Sequence, residues 1–379
     1  MKKQRGIWKT ACFLLVIAGV WPLQAATVDG LYEAEVAVTD EGPEVRQNGF
    51  REAFAKVIVK VTGSRGIAES GAAAPIIENA RAYVQRFGYE ERELPADEDN
   101  PFPGRQLYLQ VRFDQNGVDR VLRNRGLPLW GRERPTTLVW LAVEEAGERA
   151  MVGAGHEDQR LLDAVSAAAA ERGINLTLPL LDLEDRARLN VADIRGGFAD
   201  RIIEASQRYS PYGILVGDLL SSGPGVREGE QPVWSARWTL IKQDGSMDWE
   251  SVTSSVDSVV MAGVDGVADN YARQFALDTL FAESGRVEVL VRDINTLEDY
   301  ARAVKYFESL SVVDMVDVAR VAAGEVQFRL KLLGDLRNFE QAVALGRTLQ
   351  AEHIEPVIHL GIEQETFQRP DILYFRLLP

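Results

Sequence analysis

Leu138-Val-Trp-Leu-Ala-Val143 is an unbroken apolar run, the pattern of a strand buried on both faces, as in a parallel sheet covered by helices. Downstream of it the sequence predicts an alanine-rich helix over 158–172 stopped by Gly173, then a strand, Ile174-Asn-Leu-Thr-Leu-Pro-Leu-Leu181. A helix with Phe198, Ile202, Ile203 and Ala205 on one side comes next, followed by a short buried strand, Gly213-Ile-Leu-Val-Gly217. Strand, helix, strand, helix, strand in this order specifies a parallel sheet with helices packed on its faces. The stretches 234–241 and 247–253 flank Asp244-Gly245, a common short hairpin signal, so the sheet is expected to become mixed. A helix over 264–282 closes this unit.

Upstream, Leu31-Tyr-Glu-Ala-Glu-Val-Ala-Val38 alternates as a half-buried strand does. Residues 44–61 are helical by spacing: Phe50, Phe54, Val57, Ile58 and Val61 recur at threes and fours, and Gly63 ends the run. A second helix is expected at 74–87, a strand at Leu107-Tyr-Leu-Gln-Val-Arg-Phe113, and a helix at 115–125 capped by Asp114. Gly126-Leu-Pro-Leu-Trp-Gly-Arg-Glu-Arg-Pro135 reads as the connection out of this unit. From residue 286 the order is strand, helix, two strands joined at Ala323-Gly324, a helix over 335–350 and a last strand in the tail, Ile372-Leu-Tyr-Phe-Arg-Leu-Leu378. That is a ferredoxin-like unit. The fold class is therefore α/β and α+β. A small amino-terminal α+β domain occupies 26–130, a central three-layer α/β domain with a mixed sheet 131–284, and a carboxy-terminal ferredoxin-like βαββαβ domain 285–379.

Ahead of these lies a leader over 1–25. Lys2, Lys3, Arg5 and Lys9 precede an eleven-residue apolar run, Ala11 to Trp21, which falls short of the roughly 20 residues a bilayer span needs. Pro22 and then Leu23-Gln-Ala25 before Ala26 make a small-residue exit, so a signal peptide cleaved after Ala25 is expected, with a periplasmic product. Cys12 stands at the start of the apolar run, where it cannot become a lipid-carrying first residue. The mature chain then carries 38 basic and 57 acidic side chains, a net charge of −19, and no cysteine. Such acidity argues against nucleic acid and anionic lipid as partners. Missing thiols exclude disulfides, thiolate catalysis and sulfur-based zinc sites. No second membrane span is expected after cleavage.

Six stretches together resemble one family: Val59-Lys-Val-Thr-Gly63, Gly126-Leu-Pro-Leu-Trp130, Arg134-Pro-Thr-Thr-Leu-Val-Trp140, Leu178-Pro-Leu-Leu-Asp-Leu-Glu-Asp185, Gly196-Gly-Phe198 and Ala205-Ser-Gln-Arg-Tyr209. The family is domain of unknown function 2066. The resemblance implies an exported protein of Gram-negative bacteria, without an established activity or catalytic residue to carry over. More loosely, the middle unit is similar to the small α/β domains that envelope proteins such as the Tol-system propeller carry ahead of their main domain.

Two clusters stand out as candidate sites. Asp182, Glu184, Asp185 and Asp193 follow a predicted strand, and ligands of α/β sheets gather at the carboxyl ends of strands. A hard cation would accept such oxygens, but the Asp-x-Asp-x-Asp-Gly spacing of a calcium loop is missing, and capping of turns and helices is the simpler role. Arg120, Arg123, Arg125, Arg132 and Arg134 surround Trp130 in an otherwise acidic chain. They read either as a dock for an anionic partner or as an internal lock at the domain junction with Trp130 packed between, and the second is preferred.

Other chemistries find little support. His156, His353 and His359 offer a pair without an obvious third ligand, Ser64 has no neighbouring base, and Gly153-Ala-Gly155 lacks the third glycine of a dinucleotide loop. No cofactor is expected. The preferred reading is a non-catalytic binding or adaptor module for another envelope protein. The alternative is a carboxylate-dependent hydrolase acting on an envelope polymer, whose acid and base would come from distant positions.

Overall fold

The computed structural model describes residues 25–94, 104–155, 158–222, 233–276, 285–352 and 372–378. The leader up to residue 24, the three histidines and the end of the helix expected at 264–282 lie outside them. The fold is mixed α and β, with three sheets among the described residues.

The chain enters with β1 (Ala25–Thr27), then β2 (Glu33–Val38) and the long helix α1 (Pro43–Thr62). Pro43 suits the first turn of α1, where its missing N–H is not needed, and Gly63, at φ 71°, ends it in the left-handed conformation. Two short helices follow, α2 (Arg65–Ala68) and α3 (Ala74–Glu78), before β3 (Val84–Leu94), β4 (Gly104–Phe113) and α4 (Gln115–Asn124). Asp114 caps α4 by accepting the Gly117 N–H. The antiparallel sheet β2-β4-β3 receives Phe50, Phe54, Val57, Ile58 and Val61 of α1 on one face.

The helix expected over 74–87 stops early, and a strand missing from the sequence reading takes its place. β3 is an edge strand, and its Arg86, Glu90, Glu91, Arg92 and Glu93 meet solvent. Only Val84 and Tyr89 pack against the core, and Phe87, edge-on to Phe50 at 5.2 Å, stays largely exposed, so the burial signal along the stretch is faint.

The central sheet is built on β5 (Glu133–Glu145), which runs through the opening apolar stretch and is buried from Leu138 to Val143. A hairpin returns β6 (Glu148–Val152), and α5 (Gln159–Arg172) ends at Gly173 with φ 62°. There follow β7 (Asn175–Thr177), α6 (Leu183–Arg188), α7 (Val191–Arg195), α8 (Ala199–Ser206), β8 (Gly213–Ser221), β9 (Trp234–Lys242), β10 (Gly245–Thr253) and α9 (Val256–Phe275). β7 and β8 both lie parallel to β5, while β9 and β10 continue antiparallel from β8. The sheet is mixed, as expected. Because β1 pairs with the foot of β5, Ala25 opposite Pro135, the amino-terminal residues join the central sheet rather than their own.

Helices cover both faces. α5 and α9 bury Val139, Leu141, Val143, Leu215 and Trp238 on one side, and α6 to α8 bury Leu138, Trp140, Ala142 and Val216 on the other. Alternate residues of each strand feed the two cores. Trp238 fits because Gly217 and Gly263 leave it room: a Cβ at either position would lie 2.4 Å or 2.6 Å from its ring.

Three details differ from expectation. The strand foreseen at 174–181 pairs only over Asn175–Thr177, because the chain turns at Leu181, whose φ is 53°. On α8 only Ile202 and Ala205 of the predicted apolar side are buried, whereas Phe198 and Ile203 face solvent. α9 begins at Val256 instead of 264, started by Ser255, whose hydroxyl accepts the Ser258 N–H.

The last unit comprises β11 (Arg286–Ile294), α10 (Leu297–Ser309), β12 (Val313–Ala322), β13 (Gly324–Leu332), α11 (Leu336–Leu345), β14 (Leu349–Ala351) and β15 (Ile372–Leu377). Its order is β12-β13-β11-β15-β14, with the tail strand β15 parallel to β11 inside the sheet. Ferredoxin-like topology holds, extended by β14, where the helix foreseen up to residue 350 has already ended. Its core joins Phe307, Phe328, Phe339 and Phe375.

Candidate functional site

The acidic cluster folds onto itself. Asp182 caps α6, its carboxylate accepting the Glu184 and Asp185 N–H groups at 3.1 and 3.0 Å. The same carboxylate pairs with Arg208 at 2.8 Å, and that guanidinium, with the cap, holds it at about 2, well below the usual carboxylate range. Asp185 is fully buried. It accepts from the Tyr209 hydroxyl at 2.6 Å, the Leu181 N–H at 2.9 Å and Arg208 at 3.1 Å. Burial, then the bond to Asp185, pushes the Tyr209 hydroxyl up to about 12.

Glu184 pairs with Arg188 at 3.0 Å, and its other oxygen lies 3.4 Å from Arg208. Asp193 sits apart from these three. It forms a reciprocal capping box with Asn190 at the start of α7 and pairs with Arg201 at 2.7 Å. Three of the four carboxylates thus converge, on Arg208 rather than on a metal. Among the described residues no group of three or more His, Cys, Asp or Glu side chains could hold a metal ion.

A cavity of about 940 Å³ opens at the carboxyl end of β5, walled by Val143, Glu145, Met151, Leu180, Leu181 and Arg186. Asp182, Glu184 and Asp185 do not line it, nor does any aromatic ring. They turn away because Leu181, in its left-handed conformation, starts the turn that α6 closes.

Of the arginine set, Arg134 is sealed from solvent and Trp130 nearly so. The guanidinium of Arg134 lies 3.9 Å over the Trp130 ring. Its N–H groups donate to the carbonyls of Gly131 at 2.9 Å, Gly173 at 2.8 Å, Lys60 at 2.6 Å and Trp130 at 3.0 Å. Lys60 stands in the last turn of α1 and Gly173 just past α5, so the cation occupies the negative ends of two helices at once. Burial lowers its pKa from the ordinary arginine value, and nearby Arg172 adds to the lowering.

Arg172 is buried too and joins Gly63 to Asp265 and Asp269 of α9. Arg132 pairs with Asp29 at 2.9 Å. Arg120 and Arg125 stand exposed on and after α4, away from this lock, and Arg123 is half-buried there. The structure therefore brings Trp130 and Arg134 together inside the junction and leaves the α4 arginines outside it.

Sequence reasoning missed the outer surface of the α6–α8 layer. Leu180, Leu183, Phe198 and Ile203 are 59%, 88%, 55% and 40% exposed, four large apolar side chains within 24 residues. The stretch 180–209 holds six acidic and five basic residues, so this layer is close to neutral in an acidic chain. Within it Arg188 pairs with Glu184, Arg201 with Asp193 and Arg208 with Asp182, while Arg195 reaches Glu144 of β5 and Asp218 of β8. The sequence held only a partial signal: Leu183 follows the capping Asp182 in the first turn of a short helix and faces solvent, while Leu181 before it packs against the core.

Residues 25–131 match a family described as a domain of unknown function, DUF8605. This corrects the family expected from sequence, domain of unknown function 2066. Only two of the six resembling stretches, 59–63 and 126–130, lie within the matched residues. A family of unknown function is what the match supports.

No curated protein matches the chain. Among solved structures, a lipoprotein from Neisseria meningitidis is 17% identical, covering 37% of this chain and 99% of its own, with a TM-score of 0.22. PelC from Paraburkholderia phytofirmans, a dodecamer, is 10% identical over 37% of this chain and 90% of its own, with a TM-score of 0.20. No helix among the described residues is long and apolar enough to cross a membrane.

Proposed function

We propose that this chain is an exported, non-catalytic binding module that docks another envelope protein on the outer surface of its α6–α8 layer. The observation that carries the reading is the exposure of Leu180, Leu183, Phe198 and Ile203 on a charge-balanced layer. Large apolar side chains left exposed on one layer, among charges that are mostly paired, are a common feature of protein-interaction sites. The envelope location rests on the leader: a basic head, a short apolar run and a small-residue exit.

Nothing specific favours a hydrolase. Its carboxylates would have to meet in a cleft, and the acidic cluster caps helices beside the cavity instead of lining it.

The test has two arms. Edman sequencing of the protein from a Gram-negative host gives a product beginning at Ala26 on this reading, whereas full-length chain recovered from cytosol with Met1 overturns the location. A Leu183→Glu/Phe198→Glu double variant keeps the wild-type Tm, because both side chains meet solvent, and loses the envelope protein that crosslinks to wild type. Undiminished crosslinking overturns the docking surface.

A further inference from the structure

β12 is an open edge of the carboxy-terminal sheet, ten residues long, with Met315, Val318 and Val321 exposed. An edge strand presents unpaired N–H and C=O groups to any strand of matching pattern. What distinguishes β12 is where its charges fall. Asp317 lies opposite Arg329 of β13 and Arg320 opposite Gln327, with a register shift between Val318 and Arg320. In a regular strand, residues three apart point to opposite faces. The bulge absorbs Ala319 and turns Arg320 onto the face that Asp317 occupies, while Val316, Val318 and Val321, opposite Leu330, Phe328 and Val326, share the helix-covered face. Among the described residues neither Asp317 nor Arg320 has an ion-pair partner.

We propose that β12 pairs antiparallel with β12 of a second copy of this chain, about a two-fold axis through Val318. Counting past the bulge, Asp317 then faces Arg320 of the second copy, and by symmetry Arg320 faces the second copy's Asp317. Val316 faces Val321 of the second copy on the other side, so the exposed valines close into one apolar stripe. Two complementary charge pairs and a shared valine strip come from this single register. Two other edges do not offer it: β10 carries Asp248 and Glu250 with no basic residue, and β14, at the far side of the same sheet, has three residues.

A single strand pair is a small interface, so the dimer is weak, with a Kd on the order of tens of micromolar. Sedimentation equilibrium of the purified protein tests it. Wild type shows a reversible monomer–dimer equilibrium. Asp317→Arg alone and Arg320→Asp alone each place two like-charge pairs across the axis and raise the dimer Kd about tenfold or more. An equimolar mixture of the two variants recovers wild-type affinity, because each then faces the opposite charge. The double exchange Asp317→Arg/Arg320→Asp recovers it as well. A wild type that stays monomeric to about 1 mM, a dimer indifferent to both single substitutions, or a mixture no tighter than its components overturns the proposal.

Discussion

A guanidinium sealed from solvent must spend its N–H groups on something, and Arg134 spends them on the carbonyls of Lys60, Trp130, Gly131 and Gly173. Those acceptors belong to the end of α1, the connection out of the amino-terminal unit and the end of α5. Removing the cation strands them in a place water does not reach. Arg134→Met is expected to destabilise the protein by about 3 kcal/mol or more, and Arg134→Lys by a similar amount, since an ammonium cannot reproduce the planar fork. Urea unfolding checks both; a midpoint unchanged in Arg134→Met would contradict the lock.

Tyr209 makes a second prediction. Its hydroxyl is raised above the free tyrosine value to about 12, by burial and by the bond to Asp185. A raised folded-state pKa means that stability from this group is complete below about pH 10. It fades as pH rises through 12. Ultraviolet titration should show one tyrosine ionising near 12 that Tyr209→Phe removes.

At the scale of elements, what could be read from sequence was what the core dictates. β5, α1 and α5 announced themselves because period and stop signal agree: Leu138 to Val143 is apolar throughout, and Gly63 and Gly173 both adopt positive φ just beyond their helices. β3 and β14 did not, since an edge strand and a three-residue strand leave almost no burial pattern, and β7 was read too long, as the whole of 174–181. The candidate site was half legible. Capping by Asp182 followed from its place before Leu183, but its partner Arg208 and Tyr209, the partner of Asp185, lie beyond α7 and α8, and only folding joins them.

Five of the six resembling stretches gather into two places. Residues 59–63, 126–130 and 134 build the junction; 178–185 and 205–209 build the cap beneath α8, and Trp140, whose ring N–H donates to Ser206, reaches the cap from β5. Gly63 tests the first place. A Cβ there would lie 2.5 Å from Ala272 and 2.7 Å from Trp130, in a backbone conformation that alanine resists. Gly63→Ala is expected to cost about 3 kcal/mol, from strain and overpacking together. Thermal unfolding measures it.

Over the whole molecule, buried arginines tie the first two units together, and β1 stitches residues 25–27 into the central sheet. The third unit meets them around Trp130, where a Cβ on Gly131 would touch Ser311 at 2.5 Å. Its strand order was legible because each strand and helix carries its own period, whereas the exposed α6–α8 surface was not, because apolar residues in a sequence read as core until a structure shows which way they point.

That surface carries the account, and one measurement addresses it directly. A photoreactive side chain is placed at Leu183 or at Phe198, and for comparison at Val252, an apolar residue of β10 that is 72% exposed on a different part of the molecule. Irradiation of intact cells should give the same discrete envelope-protein adduct from Leu183 and Phe198 and none from Val252. Equal yields from all three positions, or no adduct from either position on the α6–α8 layer, would contradict it.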